Sequence, residues 1–133
     1  MIDLPNKIPV FPLSNFIIFP ETTVPLNIFE PRYLQMINDA MKGSKIIGII
    51  QPKKQNQTIP SLYDIGCAGK ITNYNETNDG RYLIVLSGIS RFKIIQEINT
   101  EKLYRECKVN FNDFKIDLNE HKEEIKFSDL ELI

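Results

Sequence analysis

The 133-residue chain has no tryptophan, one histidine, two cysteines, six glycines and a formal net charge of only -1. Each shortage removes a class of function. With His121 the lone histidine, no dense metal-ligand set can form, and a Cys or Ser nucleophile would have to borrow its base from the charged C-terminal segment. Cys67 and Cys107 lie far apart without a C-x-x-C spacing and fit two small buried hydrophobes as easily as a bridge; reduced thiols in a cytoplasm are the expectation. Cys67, among the small residues of Ile65-Gly66-Cys67-Ala68-Gly69, reads as structural and not as a reactive thiol. Up to residue 100 ten Lys and Arg face eight Asp and Glu with no basic strip, which argues against a phosphate-binding surface. Long apolar runs are missing too. The longest, residues 16–19 and 46–50, fall far short of the roughly 20 residues of a membrane helix. Residues 8–20 are apolar but interrupted by Pro9, Pro12 and Pro20 and lack a basic leader, unlike a signal peptide. No phosphate loop, dinucleotide fingerprint, nucleophile elbow or H-E-x-x-H pair occurs. These absences predict a soluble cytoplasmic protein with no catalytic residues, no cofactor, no metal and no membrane or nucleic-acid partner.

What is present is a globular composition, 42% hydrophobic and 25% charged, in a length that suits one domain. Residues 7–13 read as a strand whose prolines favour an edge or a bulge, and residues 22–28 as a second strand. In residues 31–41 Tyr33, Leu34, Ile37, Ala40 and Met41 recur on one helix face, with Pro31 at the first helical position and Gly43 as C-terminal cap. Residues 45–51 are β-branched and nearly continuously apolar, as a strand covered on both faces would be. Residues 52–61 are a polar, proline-bounded loop. Residues 67–74 and 81–86 form a hairpin around Asp79-Gly80, which supplies the positive φ of the turn; it is placed at the sheet's centre. Residues 91–98 and 104–111 add further strands, so six or seven strands with one early helix predict a mainly β, α+β closed or nearly closed barrel over residues 1–116. Residues 117–133 carry six acidic and two basic residues and form a tail, frayed or weakly helical over 118–127.

Three stretches carry candidate roles. In Phe29-Glu30-Pro31-Arg32-Tyr33 a strand runs into a helix, Glu30 can meet the first helical amides, and Glu30 with Arg32 is read as a clamp pinning the helix to the sheet in preference to a ligand site. In Gly88-Ile89-Ser90-Arg91-Phe92 the glycine marks a bulge or bend that aims Arg91, either at barrel carbonyls or at a ligand. Phe11, Phe16, Ile18, Phe19 and Ile28 crowd a segment rich in proline, and two readings stand: all fill the barrel core, or part of this surface stays open as a groove for peptide. The substrate-binding candidates are therefore Phe11, Phe16, Ile18, Phe19 and Arg91.

These stretches, with Ile8-Pro9-Val10-Phe11-Pro12-Leu13, Phe19-Pro20, Pro25-Leu26, Ile65-Gly66 and Asp79-Gly80-Arg81, resemble the N-terminal, substrate-recognising domain of the ATP-dependent protease Lon and its free-standing relatives over residues 7–111. The resemblance implies a PUA-like pseudo-barrel with one helix and a non-catalytic module that engages unfolded or extended polypeptide, with an ATPase-protease as a further partner. It also implies what is missing, since no ATPase module, no Ser–Lys peptidase module and little of the helical portion of longer members lie in these residues. The alternative is RNA binding by analogy with other PUA-like barrels, which the charge balance disfavours.

Overall fold

The computed structural model describes residues 4–14, 17–53 and 62–122, with backbone only from 119. The described residues form six strands, β1 (Lys7–Pro12), β2 (Thr23–Ile28), β3 (Ile46–Ile50), β4 (Ile65–Glu76), β5 (Tyr82–Ile98) and β6 (Arg105–Asn110). Helix α1 (Pro31–Lys42) follows β2, and a 3-10 turn (Asn112–Phe114) leads from β6 into α2 (Lys115–Lys122).

β1 is not the edge strand that its prolines suggest. It pairs antiparallel with β6 through residues 7–10 and parallel with β3 through residues 10–12. Pro9 faces a partner only in β6 and Pro12 only in β3, so one side of the strand makes no ladder at each proline and the absent N–H can lie there. Its side chains alternate. Ile8 and Val10 enter one apolar cluster with Phe92, while Phe11 enters the other and stacks on Tyr33 with ring centroids 4.2 Å apart.

The two strands expected at 81–86 and 91–98 are one continuous strand, β5, which serves as the hub of the sheet. β5 pairs with β4 along most of its length, with β2 over residues 82–87 and with β6 over residues 93–98. Because β6 also pairs with β1, and β1 with β3 and β4 beyond it, strands β5, β4, β3, β1 and β6 close a ring. Closure removes their open edges. Gly88 sits at the expected bulge, since Ala68 pairs with Ser90 and Gly69 with Gly88, leaving Ile89 unopposed. The β4–β5 turn uses the anticipated Gly80 at φ 84, where Thr77 Oγ1 accepts the Arg81 N–H at 3.0 Å and contacts Asp79.

α1 buries Tyr33, Met36, Ile37 and Ala40 on one stripe, each large apolar side chain stabilising by about 1.5–3 kcal/mol. Polar bonds tie its flank to the sheet: Tyr82 Oη donates to Asn38 at 2.9 Å, and Tyr104 Oη to Asp39 at 2.7 Å. The helix ends at the expected cap, Gly43, whose N–H meets the Ala40 carbonyl at 3.0 Å. Gly43 has φ −119 and is not left-handed; Lys45 takes the positive φ of 63 and returns its N–H to the Ala40 carbonyl at 2.9 Å. β3 is buried on both faces as expected, Ile47 and Ile49 in one cluster and Ile46 and Ile50 in the other.

The C-terminal helix starts at Lys115, three residues earlier than the pattern suggests. Residues 54–61 of the polar loop and 123–127 of the expected tail helix lie outside the described residues.

Candidate functional site

The bulge at Ile89 has a consequence for the outer side of β5. Between Ser87, the last partner of β2, and Lys93, the first partner of β6, that side pairs with no named strand. Two non-strand pieces occupy the gap. One is the turn at residues 19–22: Gly88 donates to the Thr22 carbonyl and accepts from Glu21 N–H, both at 2.8 Å, and the Thr22 hydroxyl donates to the Phe19 carbonyl at 2.7 Å. Glu21 adopts φ 67 there, a left-handed conformation held by these bonds.

The other piece is Asp117, the third residue of α2. Its carboxylate accepts the Arg91 backbone N–H at 2.9 Å, Arg91 Nε at 3.1 Å and Arg91 Nη2 at 2.9 Å. Phe114 covers the guanidinium from 4.7 Å. The Asp117 side chain is 6% exposed and that of Arg91 45% exposed, so the pair runs from the interior to the surface. This is a bidentate, charge-assisted contact of the strong type. Arg91 is thus tied to an acid 26 residues away, a partner that the sequence reading did not name.

The expected clamp takes a weaker form. Arg32 Nε does meet Glu30 Oε2 at 3.0 Å, but the two side chains are 55% and 44% exposed and the pair closes on its own turn without reaching the sheet. Nor does Glu30 cap the helix, because its carboxylate is engaged by Arg32 while its backbone carbonyl accepts from Tyr33 and Leu34. Such a pair contributes about 0.2–1 kcal/mol, and the Arg32 stack on Tyr33 at 4.7 Å adds a comparable amount. Arg32→Ala is therefore expected to cost about 1 kcal/mol in urea unfolding, little more than Lys53→Ala at an exposed position of the polar loop; a loss near the roughly 3–5 kcal/mol of a broken buried pair would restore the clamp.

Between the 17–19 segment, the end of β3 and the start of β4 lies an open, mainly apolar groove of about 200 Å³. Its floor is Ile49, Ile50, Gly66 and Cys67, and Ile18 is buried beside it. Its rim is unusually apolar: Ile17 is 61%, Phe19 59%, Tyr63 49% and Ile65 52% exposed. Among the described lining residues, Arg91 is the charged one. Of the residues singled out in the sequence, Ile18, Phe19 and Arg91 line the groove; Phe11 is buried behind it in the core and Ile28 likewise, and Phe16 lies outside the described residues. The segment thus divides between the two readings. β1 alternation turns Phe11 inward, whereas the turn at 19–22 leaves the Phe19 ring outside. Ile17, Tyr63, Ile65 and Cys67 were not singled out as binding residues, and their apolar character in flanking segments was the only available signal.

The groove offers contact chemistry and little else. Burial pushes the Cys67 thiol up to about 12, helped by the Asp117 charge and opposed by Arg91, so the sulfur stays protonated near neutral pH. Burial likewise raises Cys107, to about 11, and both cysteines are free. Among the described residues no three His, Cys, Asp or Glu side chains are grouped to hold a metal, and no helix is long and apolar enough to cross a membrane.

The fold has counterparts among solved structures. A Lon N-terminal domain protein from Xanthomonas campestris superposes with a TM-score of 0.64 at 24% identity, covering 79% of this chain and 59% of that one. The N-terminal domain of the Mycobacterium avium complex Lon protease gives 0.62 at 18% identity, covering 79% and 54%. At such identities the likeness establishes the fold. In sequence, the Lon protease of Flavobacterium johnsoniae is 30% identical over 102 residues, 74% of this chain and 12% of that protein. The Lon protease of Cytophaga hutchinsonii is 27% identical over 128 residues, 93% and 15% respectively. The chain thus spans about an eighth of the length of the curated relatives it matches. Residues 7–132 match the family described as the ATP-dependent protease La (LON) substrate-binding domain, and the chain belongs to that family.

Proposed function

We propose that this domain binds unfolded or extended polypeptide without catalysing a reaction, seating apolar side chains of the client in the groove beside Phe19 and Arg91. The observation that carries the reading is the exposed apolar rim of Ile17, Phe19, Tyr63 and Ile65 around a buried apolar floor. Scattered exposed hydrophobics are ordinary, but a contiguous set around a concavity marks a recognition surface. Membership of a substrate-binding family agrees with it.

A groove of about 200 Å³ admits roughly one large side chain. Covering a Leu or Phe contributes about 1.5–3 kcal/mol, and the client loses conformational entropy on docking, so affinity is modest and the contact suits transient handling. In this reading an ATPase-protease, on the same chain or a separate one, supplies the work of unfolding and cleavage, and the domain itself turns over neither ATP nor peptide. Phe19 and Arg91 act as binding residues, with Ile18 supporting the floor.

Titration by fluorescence anisotropy tests it, with a labelled ten-residue peptide holding a central Phe-Leu pair in polar flanks and the same peptide with Ser at both positions. A folded control protein and an RNA oligomer at two salt concentrations complete the set. The Phe-Leu peptide is expected to bind, the Ser peptide at least about tenfold more weakly. Phe19→Ser with Tyr63→Ser, both on exposed side chains, should bring the two peptides together while leaving the melting midpoint unchanged. RNA binding that falls steeply with salt, with no discrimination between the peptides, would replace this reading with the nucleic-acid one.

A further inference from the structure

Arg91 belongs to two structures at once. Its side chain is the charged wall of the groove, and its guanidinium and backbone N–H are both held by the single carboxylate of Asp117 on α2. α2 packs against β5 beside this contact, with Leu118 set against the Phe92 cluster. We infer that occupation of the groove and docking of α2 are thermodynamically linked through Arg91, with Asp117 acting as the positioning residue for the groove wall; this rests on the groove being the peptide site.

The physical reason is differential solvation. With the groove empty, water reaches the 45%-exposed Arg91 side chain and can replace part of what Asp117 provides when α2 lifts away. A seated apolar side chain removes that water. The guanidinium is then left in a lower local dielectric, where losing its carboxylate costs more, so the occupied groove holds α2 more firmly. The converse follows. When Asp117 is absent the guanidinium turns toward other partners, the wall no longer has the shape that admits an apolar side chain, and the client binds less well. The contact is also well placed to sense such a change. It lies at the one stretch of β5 where a side chain carboxylate, and not a neighbouring strand, completes the outer edge. Coupling between two sites is reciprocal, so the factor by which α2 docking improves peptide affinity is the factor by which peptide improves α2 docking.

Two measurements on the full chain test this, using the Phe-Leu peptide as probe. Amide hydrogen exchange in α2 of the unaltered protein should slow by about fivefold or more at saturating peptide, and Asp117→Asn should weaken the peptide by a similar factor. Tyr104→Phe, which removes the bond to Asp39 on α1 away from the groove, controls for general loosening and should leave affinity unchanged. Peptide binding with unaltered α2 exchange, or an Asp117→Asn affinity within twofold of the original, breaks reciprocity and overturns the linkage while the groove assignment stands. Equal weakening by Tyr104→Phe overturns it as well. Absence of any discrimination between the Phe-Leu and Ser peptides removes the groove assignment, and this linkage with it.

Discussion

Gly88→Ala is expected to destabilise the domain by about 3 kcal/mol or more and to abolish discrimination between apolar and polar peptides. A Cβ at this position would lie 2.0 Å from the Phe19 carbonyl oxygen and 2.8 Å from its carbon, and both atoms are backbone, so no rotamer can relieve the overlap. Either the 19–22 turn moves off β5 or β5 itself bends. The first course breaks the two 2.8 Å bonds between Gly88 and the turn, each contributing about 1 kcal/mol, and leaves the N–H and carbonyl of the buried Gly88 without these partners. It also carries the Phe19 ring away from the rim. Gly80→Ala supplies the contrast: nothing lies within 4 Å of that Cβ, but the φ of 84 is unfavourable to a side chain, which should cost only about 1 kcal/mol. Chemical denaturation followed by far-ultraviolet circular dichroism separates the two. A Gly88→Ala variant within 1 kcal/mol of the original would mean that the turn is not seated on the bulge.

Phe92→Ala should cost about 3–5 kcal/mol, the range for emptying an aromatic site that is fully enclosed. Phe92 is 0% exposed, and its ring meets Phe111 edge-on at 6.3 Å. The faces of β3 and β4 lean on it directly, since a Cβ on Gly48 or on Gly66 would approach its ring to 2.9 Å and 2.7 Å. Those two glycines let β3 and β4 close over the aromatic ring, and Gly66 is also part of the groove floor. Truncation therefore opens a void directly beneath the proposed binding surface. Phe29→Ala, on a ring 64% exposed, is the matched control and should change the unfolding midpoint little. Similar midpoints for the two variants would contradict the placement of Phe92 as the centre of its cluster.

Local order was legible from residue types. Pro31 at the helix start, the 3.6-residue stripe beginning at Tyr33, the β-branched run of β3 and the Asp79-Gly80 turn each express a constraint acting within a few residues, and each lies where the pattern put it. Met36 was missed on the helix stripe, although it is fully buried at the i+3 position from Tyr33. Gly43 caps the helix as read, but the positive φ falls two residues later at Lys45, because glycine permits the left-handed conformation without requiring it and the Lys45 N–H also returns to Ala40.

The proline-rich segment shows where such reading stops. Phe11 and Phe19 are equally apolar and both stand beside proline, yet one is enclosed against Tyr33 and the other is exposed on the groove rim. What separates them is the partner each finds across the fold, α1 for Phe11 and the Gly88 bulge for the backbone around Phe19. Likewise Glu30 and Arg32, two residues apart, are close enough to be matched by inspection, and they form a surface pair; Arg91 and Asp117, 26 residues apart, form the pair whose carboxylate is buried.

By itself, the sequence determined the strands, the helix, the hairpin and, through its family motifs, the barrel, because hydrophobic period, proline and glycine act over short distances along the chain. Tertiary structure alone decided which hydrophobics remain outside, which carboxylate meets Arg91, and that a groove lies between them. Those outcomes depend on ring closure bringing β6, α2 and the 19–22 turn to one gap along β5, and no periodicity along the chain encodes which distant groups will share a gap.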